Sequence, residues 1–248
     1  MLFSVLFSFS LLSLSLLAPL LGFTWFDFAP TQEDIGNILI GISFTGSIQG
    51  ILLPIIFLSI HYSKTAKECW RTFYCLFPLF ILALLIGWGI QAITQHPMPN
   101  VVNLVNGGLL EPTYYQLSRE EQHQAMTAAL AQSNGLADYL KAEWRQWTGY
   151  AMPAFHAIAS FTVALYFAAL FFRRQQGVTA MLILGWAHAC VFIRLLIDMQ
   201  RPQDLFVGLI IAALCAQLAL MYLRSNIKKE DAIRALREKK LAEANAAE

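Results

Sequence analysis

Charged residues are scarce in this chain. Asp, Glu, Lys and Arg make up 13% of its 248 residues, whereas 57% of the residues are hydrophobic. A soluble domain usually carries about a quarter charged residues, so this composition indicates an integral membrane protein. The formal net charge is only +1, which provides no basic field for nucleic acid. We therefore expect membrane lipids as partners, and no nucleic acid.

Common metal and hydrolase motifs are also missing. The four cysteines, Cys69, Cys75, Cys190 and Cys215, form no CxxC pair and fit no zinc-binding spacing. Neither GxSxG nor HExxH occurs. All four cysteines lie in or beside apolar runs, where they are expected to be small buried hydrophobes. We expect no metal ion and no other cofactor.

Long apolar runs, in contrast, fill most of the chain. A helix needs about 20 apolar residues to cross the hydrocarbon core of a membrane. Six segments reach or approach that length: 2–26, 36–60, 72–94, 149–172, 178–197 and 205–223. The first has no basic start and is longer than the roughly 7–15 apolar residues of a signal peptide. The sequence therefore predicts an all-α fold, a six-span transmembrane helical bundle covering residues 1–223.

Basic residues set the expected orientation. They cluster in the linker "HYSKTAKECWR", in the turn "RRQQG" and in the tail 224–248. That distribution predicts that both termini lie in the cytoplasm and that the chain ends in a charged, helical cytoplasmic tail. Residues 95–148 are polar and rich in helix formers, and they are expected to form a helical insert on the outer side.

Three polar segments meet at the outer face in this topology. They are the end of span three, the start of span four and the turn between spans five and six. Ionisable groups at membrane depth indicate a functional site, although Arg194 can also snorkel to the interface and Asp204 can cap a helix. The candidate site residues are Gln91, His96, His156, Arg194, Gln200 and Asp204.

The three segments resemble the motifs of the type 2 phosphatidic acid phosphatase superfamily. Members carry Lys-x6-Arg-Pro, then Pro-Ser-Gly-His, then Ser-Arg-x5-His-x3-Asp. The resemblance implies a six-span fold in a bacterial inner membrane, with the site and the insert facing the periplasm. It also implies metal-independent removal of phosphate from lipid phosphates and isoprenoid pyrophosphates. It implies phosphate clamping by Arg194, a general-acid role for His156 and an orienting role for Asp204.

The match to these motifs is partial. Six positions depart from the family pattern: Gln91 replaces Lys, Met98 replaces Arg, Ala154 replaces Ser, Phe155 replaces Gly, Ile193 replaces Ser and Gln200 replaces the nucleophilic His. A Gln amide cannot take over covalent catalysis by an imidazole. Losing even one oxyanion donor typically costs about 10²–10³ in rate. The sequence therefore predicts a catalytically inactive homologue that binds a lipid phosphate headgroup, a less charged headgroup or a membrane-protein partner. Its pocket is expected to bind polyanionic pyrophosphate poorly.

Two other functions stay open. A surviving phosphatase would use His156 or His96 as nucleophile, with Arg194 as the clamp. A small lipid or solute transporter would use His188 as a relay group, although a buried histidine that packs between helices is the favoured explanation of His188.

Overall fold

A computed structural model describes residues 1–133, 135–147 and 149–245, and within these ranges every regular element is a helix. Three short 3₁₀ turns, at Leu14–Leu16, Trp25–Phe28 and Tyr114–Gln116, accompany the α-helices. The α-helices are α1 Leu2–Ser13, α2 Leu17–Leu20, α3 Glu33–Thr45, α4 Leu52–Tyr62, α5 Ala66–Thr94, α6 Pro99–Asn106, α7 Arg119–Gln132, α8 Asp138–Gln146, α9 Phe155–Arg173, α10 Gly177–Leu196 and α11 Pro202–Asn245. The predicted all-α class is confirmed.

Five helical segments among the described residues are long and apolar enough to cross a membrane: Leu2–Leu20, Ala66–Asn106, Phe155–Arg173, Gly177–Leu196 and Pro202–Glu238. The predicted second span, 36–60, is not one continuous helix, because α3 ends at Thr45 and α4 begins at Leu52. Two glycines lie within the break. A Cβ on Gly46 would lie 2.8 Å from Cys190 Sγ, and one on Gly50 would lie 2.1 Å from the Phe44 carbonyl oxygen. Neither position has room for a side chain. A count of six crossings remains a prediction.

Helix α9 forms the centre of the bundle. Sixteen of its residues are buried, as expected for a helix that is apolar on every side. It packs against α5, α10 and α11, and glycines permit the closest approaches. A Cβ on Gly87 of α5 would lie 2.7 Å from Ile158, and one on Gly208 of α11 would lie 2.7 Å from Ala157. The first turn of α9 is therefore held tightly between α5 and α11.

The polar insert contains α6, α7 and α8, so its predicted helical character is confirmed for its described residues; residues 134 and 148 lie outside them.

Helix α8 is anchored at both ends. The Glu33 carboxylate accepts hydrogen bonds from the backbone N–H groups of Asp138, at 2.6 Å, and Tyr139, at 3.1 Å. The Trp144 indole N–H donates to the Ile197 carbonyl oxygen at 2.7 Å. These bonds tie α8 to α3 and to the end of α10.

Helix α11 continues from the bundle into the charged tail without interruption. The tail was predicted to be helical over 224–248; it is helical to Asn245, and residues 246–248 lie outside the described part of the chain. Arg71 on α5 pairs with Glu230 on α11 at 3.0 Å. This ion pair joins the linker before the third predicted span to the tail, two regions that the basic-residue pattern assigns to the same side of the membrane.

Candidate functional site

A cavity of about 170 Å³ lies where the three motif segments meet. Six positions singled out from the sequence line this cavity: Gln91, Met98, Phe155, His156, Arg194 and Gln200. Its other lining residues are mostly aromatic or apolar: Ile48, Trp88, Trp147, Gly149 and Tyr150. The predicted convergence of three segments that lie between residues 91 and 200 is therefore observed.

The first segment enters the cavity from the end of α5 and the start of α6. The Gln91 amide N–H donates to the Tyr150 carbonyl oxygen at 2.6 Å, so the side chain at the family's lysine position is bound to the backbone. Met98 precedes Pro99, the first residue of α6, and its backbone N–H donates to the Tyr115 hydroxyl at 2.9 Å. Neither side chain can supply a positive charge to the cavity.

The second segment contributes the first residues of α9. His156 is 5% exposed, and its ring meets the Trp147 ring edge-on, with centroids 5.6 Å apart. The Phe155 ring contacts Trp88 at 6.4 Å, so a large aromatic group occupies the position of the family's glycine. Ala154 is fully buried and does not line the cavity; its backbone N–H donates to the Asp204 carbonyl oxygen at 3.0 Å.

Arg194 does not face the cavity as a free cation. It is 1% exposed, and its Nη1 donates to Glu143 Oε1 of the insert at 2.5 Å. The Trp147 indole N–H donates to the same carboxylate oxygen at 2.9 Å. Arg194 Nη2 lies 2.9 Å from Met199 Sδ, and its Nε has no partner among the described residues. Glu143 thus neutralises the one fixed cation that the family motifs retain here.

Gln200 stands at the nucleophile position and is 7% exposed. It lines the cavity, and its buried Oε1 has no hydrogen-bond partner among the described residues. Ile193, at the family's serine position, belongs instead to the apolar core beneath the insert. Six motif positions depart from the family pattern, and two of them, Ile193 and Ala154, therefore do not line the cavity.

Asp204 lies outside the cavity lining, contrary to the expectation that it forms part of the site surface. It is the third residue of α11, and its Oδ2 accepts the Arg201 backbone N–H at 2.8 Å, so it caps the helix from within the first turn and not from the N-cap position. Its Oδ1 lies 3.3 Å from His96 Nδ1. The Arg201 guanidinium lies 3.3 Å from the His96 ring and donates to the Pro97 carbonyl oxygen at 2.9 Å. With Gln200 in place of a histidine, the carboxylate has His96 as its imidazole neighbour.

The turn between α10 and α11 holds one unusual acid. Burial raises the pKa of Asp198 to about 6, although hydrogen bonding by Asn103 and the charge of Arg201 both act to lower it. The Asn103 amide N–H donates to Asp198 Oδ2 at 2.6 Å. The Asp198 backbone, at φ +56°, is left-handed, and its carbonyl oxygen accepts the Asn100 N–H at 2.8 Å. This turn therefore fixes α6 beside Gln200.

Sequence reasoning missed Glu143 and Trp147. Both belong to the stretch "DYLKAEWRQW", in which the buried residues Tyr139, Leu140, Glu143 and Trp144 recur at helical spacing. A carboxylate on the apolar face of a helix requires a buried partner, and that pattern is the signal which could have identified Glu143. His188, by contrast, hydrogen-bonds within the bundle: its Nδ1 lies 2.7 Å from the Leu184 carbonyl oxygen. These contacts are those of a packing histidine.

Comparisons with known proteins agree with the motif resemblance. The model of the PAP2 superfamily matches residues 75–228, which include all three motif segments. Phosphatidylglycerophosphatase B of Escherichia coli K12 is 29% identical over 144 residues, which are 56% of this chain and 57% of that protein. The phosphatidylglycerophosphatase B proteins of Escherichia coli O157:H7 and Shigella flexneri match equally well. The match thus spans little more than half the length of these relatives.

Proposed function

This chain belongs to the PAP2 superfamily, and we propose that it is a membrane lipid-phosphatase homologue that has lost catalysis and kept a lipid-binding cavity. The observation that carries this proposal is the composition of the cavity wall. Gln200 stands where the family has its nucleophile, and Gln91 and Met98 stand where it has two cations. The remaining cation, Arg194, is paired with Glu143.

Each of these features opposes phosphoryl transfer. An amide side chain forms no phosphorylated intermediate comparable to phosphohistidine. Phosphoryl transfer depends largely on positioning and on stabilising negative charge, and the cavity has no unpaired cation among its described lining residues. A carboxylate beside Arg194 would also repel an incoming phosphate. His156 remains, but a general acid has no function without a nucleophile.

The setting that we propose follows the sequence. The chain crosses a bacterial inner membrane six times, with residues 33–62 as a crossing made of two helices, and both termini lie in the cytoplasm. The insert and the cavity face the periplasm. Membrane lipids are the ligands, bound by their headgroups, and a membrane-protein partner is compatible with the exposed apolar faces of the bundle.

Restoring the family residues tests this proposal. The variant Gln91→Lys, Met98→Arg, Ala154→Ser, Phe155→Gly and Gln200→His should gain phosphate release from phosphatidylglycerophosphate, whereas the native chain should have none. Adding Glu143→Gln to that variant should raise the rate further, because Arg194 becomes available to phosphate. Release by the native chain at a rate equal to that of the restored variant would contradict the proposal.

One observation favours a second candidate, an active phosphatase with rearranged chemistry. His96 lies 3.3 Å from Asp204, the residue that orients the nucleophilic histidine in the family. The His96 imidazole, oriented by Asp204, is therefore an alternative nucleophile, although His96 does not line the cavity. Under this candidate, His96→Ala should abolish any phosphate release by the native chain. Release that persists in His96→Ala and disappears in His156→Ala would instead assign the reaction to His156.

A further inference from the structure

Two buried side-chain atoms, on residues that line the cavity, have no hydrogen-bond partner among the described residues; one is a donor and the other an acceptor. Arg194 Nε is a donor, and Gln200 Oε1 is an acceptor. Both residues line the cavity, and they are 1% and 7% exposed. An unpaired polar atom at such a depth costs free energy, so a buried pair of this kind indicates a polar ligand group that satisfies both atoms.

The charge at the site restricts what that group can be. Among the described residues that line the cavity, Arg194 is the one with a fixed charge, and Glu143 lies 2.5 Å from it. The pair is nearly enclosed, since Glu143 is 7% exposed. A phosphate monoester would bring between about one and two further negative charges next to a buried carboxylate. An uncharged group avoids this repulsion.

A hydroxyl group meets both requirements. It accepts one hydrogen bond and donates another, so a hydroxyl placed within reach of both atoms would accept from Arg194 Nε and donate to Gln200 Oε1. The rest of the lining suits an apolar chain, because Ile48, Trp88 and Phe155 share the cavity. Trp88 is 56% exposed on α5, a helix of membrane-spanning length, so a chain that leaves past Trp88 enters lipid.

We propose that the cavity binds the uncharged hydroxyl end of a lipid alcohol, and that Glu143 is the residue that excludes lipid phosphates. This inference rests on the proposed lipid-binding function and specifies its ligand class. It reverses the preference implied by the family resemblance, since the ligand would be the alcohol and not its phosphate ester.

Two probes that differ only in the phosphate test this preference. Dioctanoylglycerol and dioctanoyl phosphatidic acid carry identical chains, and each is titrated into the purified full-length chain in detergent while its thermal unfolding is followed. A ligand that binds the folded state raises Tm with increasing concentration. We expect the alcohol to bind about tenfold more tightly than the phosphate, a difference that one or two hydrogen bonds can supply.

Single substitutions then locate the effect. Gln200→Leu should weaken alcohol binding about tenfold, because it removes the acceptor, whereas Gln217→Leu, on the exposed surface of α11, should leave it unchanged.

Glu143→Gln should strengthen phosphatidic acid binding about tenfold by freeing Arg194 from its carboxylate. Glu120→Gln, at an exposed position of the same insert, is the matched control. If Glu143→Gln does not fold, the preference of the native chain decides the question.

The outcomes separate this inference from the function on which it rests. Tighter binding of phosphatidic acid than of dioctanoylglycerol by the native chain would overturn the inference and leave lipid binding intact. Equal alcohol binding by the native chain and Gln200→Leu would also overturn it. Binding of neither lipid would overturn both the inference and the proposed lipid-binding role, and would mean that water satisfies the two buried atoms.

Discussion

Arg194 illustrates why a retained motif residue does not by itself demonstrate a retained role. Its guanidinium is buried and paired with Glu143. Removing one partner from a buried pair typically costs about 3–5 kcal/mol, because the other charge remains without compensation. The arginine therefore has a structural function that requires no phosphate. The pairing with Glu143 of α8 explains the arginine in "FIRLL" as fully as the family's phosphate binding does.

Asp198 provides a prediction at the residue scale. Burial raises its pKa in the folded protein to about 6, compared with about 3.9 in an unfolded chain. For an acid whose pKa is raised, the stabilisation is complete below the unfolded pKa and is lost as the pH rises through the folded one. We expect the free energy of unfolding to fall by about 1–3 kcal/mol between pH 4 and pH 7 through this group.

Asp198→Asn should remove that part of the pH dependence, because an amide keeps a hydrogen-bonding side chain and does not ionise. The measurement is denaturant unfolding of both proteins in detergent across this pH window. Asp34→Asn, an exposed acid on α3, is the control and should keep the native slope. An unchanged slope in Asp198→Asn would show that Asp198 is not the titrating group.

At the scale of elements, helix α8 determines the chemistry of the cavity. It supplies Glu143, and Trp147 follows directly after its last residue. Its position depends on Gly36 of α3, because a Cβ there would lie 2.3 Å from the Tyr139 ring. The Tyr139 hydroxyl in turn donates to the Pro30 carbonyl oxygen at 2.8 Å. The loop before α3 and the insert therefore form one packed unit beside the site.

Gly36→Ala should loosen this contact. The added methyl group overlaps a buried aromatic ring, and overpacking of this kind costs about 1–3 kcal/mol. Hydrogen exchange over α8 should become faster, and Tm should fall. Gly41→Ala in the same helix is the matched control: a Cβ there meets no atom within 4 Å, and alanine favours a helix by about 1 kcal/mol over glycine. Equal exchange rates in the two variants would contradict this account of how α8 is held.

Apolar length and motif spacing predicted most of the elements, and the differences have local physical causes. Both ends of α10 lie within one residue of the predicted span 178–197, and α9 ends one residue after the predicted span 149–172 but begins six residues later than predicted. The break between α3 and α4 was not predicted, because the apolar run is continuous through it. The break contains Gly46 and Gly50, where an added Cβ would overlap neighbouring atoms. The sequence likewise did not predict that the last span and the tail form one continuous helix, since a polar helix can continue an apolar one without any change in backbone.

At the scale of the whole molecule, the arrangement of the helices explains why the motif segments meet. The end of α5, the start of α9 and the turn between α10 and α11 all lie at the same end of the bundle. Alternating crossings predict this convergence from topology alone, and the shared cavity confirms it. Topology does not predict that the insert folds back over this end. The Glu143–Arg194 pair depends on that packing, which hydropathy patterns do not encode.

Chemical labelling tests the proposed orientation of the whole chain. In a background lacking Cys69, Cys75, Cys190 and Cys215, a single cysteine is introduced as Glu120→Cys in the insert or as Lys228→Cys in the tail. Both positions are exposed. A maleimide that cannot cross membranes should label the insert variant in cells whose outer membrane is permeabilised, and should label the tail variant only after lysis. The reverse pattern would invert the topology and place the cavity on the cytoplasmic side.

Phosphate release by the purified native chain is the measurement that tests the loss of catalysis most directly. Phosphatidylglycerophosphate and undecaprenyl pyrophosphate are each presented in mixed micelles, with protein-free micelles as the blank. The absence of a nucleophile at Gln200 and the neutralisation of Arg194 by Glu143 predict release no faster than in the blank. Sustained release by the native chain that disappears in His156→Ala would contradict this account and show that the cavity is an active site.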